Sequence, residues 1–211
     1  MNLKEQMENI YQNTDPDKIP WNTINPPEIL LDFINNHINK SDTILELGCG
    51  AGNYVMYLSG KGYKTTGVDF SETAINMARK SSKEKKLDCK FIVADVTKDL
   101  SELNTSFDFV YDWELLHHIF PEQRSAYVNN VYKLVKPGGY YFSVCFSEKS
   151  DQFGGEGKYR KTPLDTELYF SSEEEMFTLF DPFFEIVKLS TVEIEGKYAP
   201  HKAIVAVLKK R

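Results

Sequence analysis

Five apolar runs that alternate with helical patterns, two consecutive β-rich stretches behind them, and a glycine-rich turn after the first run predict an α/β protein. Alternation of this kind builds a mostly parallel sheet with helices on both faces, and the two closing stretches add an antiparallel hairpin at one edge. The expected architecture is a Rossmann-like, doubly wound, mostly parallel seven-stranded sheet whose last strand is antiparallel. With 211 residues, 41% hydrophobic and 27% charged, the chain can bury one substantial core. Residues 1–211 read as a single domain without internal repeat or low-complexity linker.

Asn25-Pro26-Pro27-Glu28 opens a helix, with Asn25 as cap, Pro26 in the first turn and Glu28 closing a capping box; Leu30, Phe33, Ile34, His37 and Ile38 share one face. The first strand, 43–47, feeds the glycine turn, and the next helix carries Val55, Tyr57 and Leu58 before Gly60 and Gly62 end it. A second strand, 64–68, leads to a helix capped by Ser71, with Ala74, Met77 and Ala78 inward and lysines at 80, 83, 85 and 86 as a solvated C-terminal end. Strands 90–94 and 107–111 run into Asp95 and Asp112. Pro121 starts an amphipathic helix with Tyr127, Val128, Val131, Leu134 and Val135 on one stripe, stopped by Pro137-Gly138-Gly139 ahead of the fifth strand, 140–146. From 147 to 170 no period holds, and a connection of that length is either a functional lid or disordered; it is the candidate substrate loop. A last helix begins at Ser171 or Ser172 with three glutamates in its first turn, and strands at 184–194 and 202–208 close the chain.

A net charge of -6 argues against a nucleic-acid partner. The first residues lack the apolar core of a signal peptide and no run reaches membrane-spanning length, so a cytoplasmic protein without membrane association is expected. Cys49, Cys89 and Cys145 are odd in number, widely separated and without metal-site spacing; they read as buried free thiols.

The chemistry concentrates in Ile44-Leu45-Glu46-Leu47-Gly48-Cys49-Gly50-Ala51-Gly52-Asn53 and, some 20 residues on, Thr66-Gly67-Val68-Asp69. A strand, a glycine turn and a second strand ending in a carboxylate hold nucleoside cofactors in α/β sheets. The dinucleotide fingerprint wants its third glycine where Asn53 stands, and Gly52 comes one residue early, which counts against NAD or FAD. Glu46 would repel a pyrophosphate but can pair with an ammonium group, so a cofactor with an amino-acid moiety fits better. Taken singly, a glycine turn is common and Asp95 or Asp112 reads as a solvated cap. Together, Glu46, Asp69, Asp95 and Asp112 end successive strands at the carboxyl edge, where open α/β sheets bind ligands.

Glu46-Leu47-Gly48-Cys49-Gly50-Ala51-Gly52 resembles the first motif of class I S-adenosylmethionine-dependent methyltransferases, and the resemblance extends over roughly 43–146. It implies that Gly48, Gly50 and Asn53 belong to the turn that meets the methionine part of the cofactor, with Glu46 holding its amino group. It further implies that Asp69 takes both ribose hydroxyls, that Phe70 lies beside the adenine, that Asp95 and the Val96 backbone meet the adenine amino group, and that Asp112 and Trp113 leave the fourth strand under the sulfonium.

In Asp112-Trp113-Glu114-Leu115-Leu116-His117-His118-Ile119, either histidine reads as a general base or as a packing residue. Ile19-Pro20-Trp21 looks like the leading segment of small-molecule methyltransferases of the thiopurine and tellurite-resistance kind, where it folds over the cofactor. That resemblance makes 1–40 a helical cap and Trp21 a wall of the methyl pocket, with Tyr11, Trp113, His117, Phe153 and Tyr159 as further candidate substrate contacts. It implies methyl transfer to a small-molecule acceptor, soft nucleophiles included. The alternatives are a macromolecular acceptor, or a cofactor-binding sensor or partner subunit without turnover. Neither the oligomeric state nor the acceptor follows from the residues.

Overall fold

The computed structural model describes residues 2–103 and 105–211; Met1 and Asn104, which the predicted domain range includes, lie outside the described residues. The order is α1 (Leu3–Asn13), α2 (Glu28–His37), β1 (Thr43–Leu47), α3 (Asn53–Gly60), β2 (Lys64–Asp69), α4 (Glu72–Glu84), β3 (Cys89–Val93), β4 (Phe107–Trp113), α5 (Pro121–Leu134) and β5 (Val135–Phe146). A short hairpin follows, β6 (Tyr159–Lys161) and β7 (Glu167–Tyr169), then α6 (Glu173–Phe180), β8 (Glu185–Ile194) and β9 (His201–Lys209). Seven strands form one sheet in the order β3-β2-β1-β4-β5-β9-β8. β1 to β5 pair in parallel, and β9 runs antiparallel to both β5 and β8. The expected doubly wound sheet with its reversed last strand is the observed one.

One sheet face meets α2, α3 and α4. Leu30, Phe33 and Ile34 of α2 pack with Phe109, Tyr111 and Phe142, and Ile75 and Ala78 of α4 pack with Val55 and Phe91. The other face meets α5 and α6 through Val128, Val131, Met176 and Phe180. Because strand side chains alternate between faces, Asp112 points into this second layer, away from the carboxyl-edge opening. There it is fully buried and accepts hydrogen bonds from the hydroxyls of Tyr127 (2.9 Å), Ser143 (3.1 Å) and Tyr141. Burial pushes its carboxyl up to about 6 against the pull of those three donors.

Several element boundaries differ from expectation for local reasons. The Pro26-Pro27 pair delays α2 to Glu28, with Pro27 at the cap position and no side-chain cap, so Asn25 is out of reach of the helix. Pro137-Gly138-Gly139 does not precede β5 but lies within it, at a register shift against β4. Of the two serines proposed to open α6, Ser172 makes the capping box with Glu175, while the Ser171 hydroxyl accepts from Arg124.

The 147–170 segment is ordered by side-chain-to-backbone bonds that leave no periodic signal. Buried Arg160 donates to the carbonyls of Glu148, Ser150, Gln152 and Gly157 and lies flat over Phe170. Arg124 fixes the neighbouring turn in the same manner, donating to the carbonyls of Leu116 and Ile119. Cys49 and Cys145 are buried and Cys89 is half-buried; all three are free thiols. Among the described residues no helix is long and apolar enough to cross a membrane, and no group of three or more His, Cys, Asp or Glu could hold a metal ion.

Removing the Asp112 carboxylate would strand three buried hydroxyls. Asp112→Ala is therefore expected to lower the unfolding free energy by about 3 kcal/mol or more, against about 1 kcal/mol for Tyr127→Phe. Urea denaturation checks both, and a loss below that of Tyr127→Phe would show the carboxylate to be dispensable.

Candidate active site

The chain crosses from one side of the sheet to the other between β1 and β4, and the opening lies at their carboxyl ends. Behind β1 the backbone N–H groups of Gly48 and Cys49 both bond the Val68 carbonyl, which ties the turn to β2. Gly50 N–H then donates to one Asp69 carboxylate oxygen and Ser71 N–H to the other, each at 2.8 Å. Gly50 has φ +51 and sits so close to Tyr11 that a Cβ would lie 2.6 Å from its hydroxyl. Gly52 has φ +76, and a Cβ there would meet the Phe91 ring at 2.4 Å. The glycine that departs from the dinucleotide spacing is thus required where α3 closes on β3.

Glu46 is the unusual group of this floor. Its carboxyl is buried, one oxygen has no hydrogen-bond partner, and the Tyr111 hydroxyl beside it closes no bond of ordinary geometry. Burial, reinforced by the nearby Asp69 charge, pushes Glu46 up to about 8. Asp69 is pushed up to about 6, again by burial, with its two backbone donors pulling the other way.

Above this floor stands one cavity of about 1030 Å³. α1 roofs it: the Glu8 carboxylate takes the Glu72 and Thr73 N–H groups at the head of α4, and Tyr11 reaches over Gly50. Trp21 donates its indole N–H to the Tyr11 hydroxyl at 2.9 Å, and its ring meets both Tyr11 and His118 edge-on. Asn53 donates to the Asn22 side chain at 2.8 Å, joining the head of α3 to the same roof. Opposite the glycines, Phe146 lies between the rings of His117 and His201, each centroid 4.7 Å away. His117 and His118 both carry a buried Nδ1 without a partner. Burial holds His117 well below the usual histidine range and pushes His118 down to about 4, so both rings are neutral at pH 7.

The cavity brings together Tyr11, Trp21, Glu46, Gly48, Gly50, Asn53, Asp69, Phe70, Asp95, Val96, Trp113, His117, His118 and Phe153. Asp95 is half-committed to its own turn, one oxygen accepting from the Thr97 N–H and hydroxyl. Two expected residues stand elsewhere. Asp112 faces the other side of the sheet, in the tyrosine cluster described above. Tyr159 is 52% exposed and packs its ring against Phe120 and Tyr169 on the outer side of the β6–β7 hairpin. Three further wall elements carry no signal in the sequence: Phe146, the turn at 196–199, and the pair Glu114 and His201, joined at 2.6 Å. Glu114 lies inside the candidate stretch after β4, and only its backbone, at φ +60, sets it apart.

A buried carboxyl with one oxygen unpartnered, a glycine turn that admits close approach, and a second carboxylate whose oxygens each keep a lone pair free form a set of acceptors suited to an ammonium group and a ribose. Such a floor at the carboxyl edge of this strand order defines a Rossmann-like methyltransferase fold. Residues 44–139, slightly under half of the chain, match the family described as a methyltransferase domain.

Among its relatives is a 2-heptyl-1-hydroxyquinolin-4(1H)-one methyltransferase of Mycobacteroides abscessus, 27% identical over 70% of this chain and 66% of that protein. A ubiquinone biosynthesis O-methyltransferase of Coxiella burnetii is 34% identical over 58% of this chain and 51% of that protein. The matches span about half to two thirds of these relatives' length. The fold alone is shared with an S-adenosylmethionine-dependent methyltransferase from Anabaena variabilis, with a TM-score of 0.79 at 19% identity over 100% of this chain and 96% of that one.

Glu46 and Asp69 have folded-state values raised above the usual carboxylate range, so the stability they allow is complete at low pH and lost as pH rises through about 6 for Asp69 and about 8 for Glu46. Urea denaturation of the protein alone is expected to show stability falling by a few kcal/mol between pH 5 and pH 8.5. Glu46→Gln should remove the part of that fall above pH 6.5. A profile unchanged by the substitution would show that Glu46 ionises freely.

Proposed function

We propose that this protein transfers a methyl group from S-adenosylmethionine to a small-molecule acceptor. The observation that carries the reading is the buried carboxyl of Glu46, one oxygen of which has no partner, beside Asp69 on the floor of a cavity larger than one drug-sized ligand fills. Glu46 would hold the cofactor's amino group, Asp69 the ribose hydroxyls, Phe70 the adenine face, and Asp95 with the Val96 backbone the adenine edge. Gly48, Gly50 and Asn53 would border the methionine part, with Trp113 under the sulfonium. When bound, this cofactor supplies an electrophilic methyl on a sulfonium that leaves as a neutral thioether.

The chain's own part is alignment and exclusion of water. Tyr11, Trp21 and His118 form an aromatic wall over the opening, and an indole face near a sulfonium adds cation–π attraction. The names of the two relatives, one for a hydroxyquinolone and one for an O-methylation, support a small acceptor. The acidic net charge speaks against nucleic acid. Three free thiols suit a reducing compartment, and a cytoplasmic location belongs to the same proposal.

Calorimetry with S-adenosylmethionine and S-adenosylhomocysteine tests the cofactor assignment. Asp69→Ala should weaken binding by about 1.5–3 kcal/mol. Because Glu46 is protonated below about 8, capture of an ammonium at pH 7 should release about one proton, and affinity should rise with pH towards 8. Paired titrations in buffers of different ionisation enthalpy measure that proton, and Glu46→Gln should abolish it. Release of S-adenosylhomocysteine across phenols, N-hydroxy heteroaromatics, thiols and amines then tests turnover; binding without turnover on any of them would favour a sensor.

A further inference from the structure

Three histidines line the cavity, and they differ in what their second nitrogen meets. His117 and His118 have partnerless, buried Nδ1 atoms. Their burial makes them poor proton acceptors at neutral pH. His201, at the head of β9, places its Nε2 2.6 Å from a Glu114 carboxylate oxygen. A carboxylate only accepts, so the imidazole hydrogen sits on Nε2 and the lone pair on Nδ1. The 196–199 turn runs beside that nitrogen and admits only a glycine at 196: a Cβ there would stand 3.1 Å from Nδ1 and 2.5 Å from the Ala199 carbonyl. Among the described residues Nδ1 makes no hydrogen bond and is not among the buried, partnerless atoms, and His201 lines the cavity together with Gly196 and Ala199.

Glu114 supports a specific role for the pair. It is the first residue beyond β4, next to Trp113, and it holds a left-handed backbone, φ +60, which a glutamate adopts only at a cost. Its N–H donates to the Val144 carbonyl at 2.9 Å, which fixes that conformation and turns its side chain to His201 rather than outward. The titratable groups facing the pair are Tyr54 from α3 and His117 across the Phe146 ring, while the nearby Lys197 ammonium is engaged by the Ile19 carbonyl. A base oriented by a carboxylate in this way is the second and third member of a nucleophile–base–orienter arrangement whose first member is absent from the chain. The nucleophile is then supplied by the acceptor.

We propose that His201, oriented by Glu114, is the general base for an acceptor that carries a hydroxyl, a phenol or an N-hydroxy heteroaromatic. The proposal rests on the methyl-transfer reading and names its substrate class. A phenol ionises near 10 and needs a base at neutral pH, whereas a thiol ionises closer to neutrality unaided. The acceptor O–H proton passes to His201 Nδ1, giving an imidazolium held by the Glu114 carboxylate. The acceptor oxygen forms its new bond to the methyl carbon, and the pair of the broken carbon–sulfur bond stays on sulfur as a thioether. The proton leaves His201 for water with the product.

The test reads ionisation directly. 4-Nitrophenol, whose phenolate absorbs visible light, is titrated over pH with protein saturated by S-adenosylhomocysteine. The wild type should lower its apparent pKa by about one unit or more, and His201→Asn and Glu114→Gln should abolish the shift while S-adenosylhomocysteine affinity stays within about twofold. With a phenol or N-hydroxy acceptor that turns over, both variants should lose about 10²–10⁴-fold in kcat, and a thiol acceptor should be affected less than tenfold. A wild-type spectrum unmoved by the protein, or a shift that survives in both variants, overturns the assignment of the base and leaves the cofactor reading intact. Failure of the wild type to bind S-adenosylhomocysteine overturns both.

Discussion

Burying an ionisable carboxyl with nothing opposite it is the constraint around which this molecule is arranged. Glu46 sits in β1, an interior strand of the sheet beside β4, with its backbone paired on both sides. It therefore cannot swing out to water without breaking the ladder. A neighbouring acid, Asp69, makes the position more costly. A fold does not keep such an uncompensated group for stability, which a hydrophobic residue would serve better. The cost is offset only if something positive enters the cavity, and the glycine turn beside it leaves room for that approach.

The two halves of the cavity are built on different physics. The cofactor half relies on backbone: turn N–H groups bonded to the Val68 carbonyl and to Asp69, glycines where side chains would collide with Tyr11 or Phe91. The acceptor half relies on side chains that reach across long sequence distances. Lys197 donates to the carbonyl of Ile19 and Tyr198 to that of Lys18, so the turn before β9 is tied to the segment that carries Trp21. The sheet can therefore stay constant while the acceptor walls vary, because no wall residue beyond Trp113 and Phe146 belongs to a parallel strand pair of the floor.

This division also explains what could be read in advance. The strand–turn–strand unit with Glu46, Gly48, Gly50 and Asp69 was legible because strand periodicity and glycine spacing are local properties. Asp112 misled because it has the same local character as Asp69, a carboxylate at a strand end. Only the parity of side chains along β4 sends it to Tyr127, Tyr141 and Ser143 on the far face. The Glu114–His201 contact joins residues 87 apart, and no pattern in either segment points to the other. The order of 147–170 was invisible for a related reason. A single arginine bonded to four carbonyls organises it, and backbone acceptors exist in every sequence.

Arg124 and Arg160 bond carbonyl oxygens instead of acids, and this gives the acceptor half a property that the cofactor half lacks. A guanidinium stays cationic across the biological pH range, and its contact with buried peptide dipoles is little screened by salt. The shape of the acceptor walls should thus be indifferent to acidity and ionic strength. The occupancy of the floor, by contrast, is coupled to protons through Glu46. One domain thereby joins an acceptor mould whose frame is insensitive to acidity to a proton-sensitive cradle for the methyl donor.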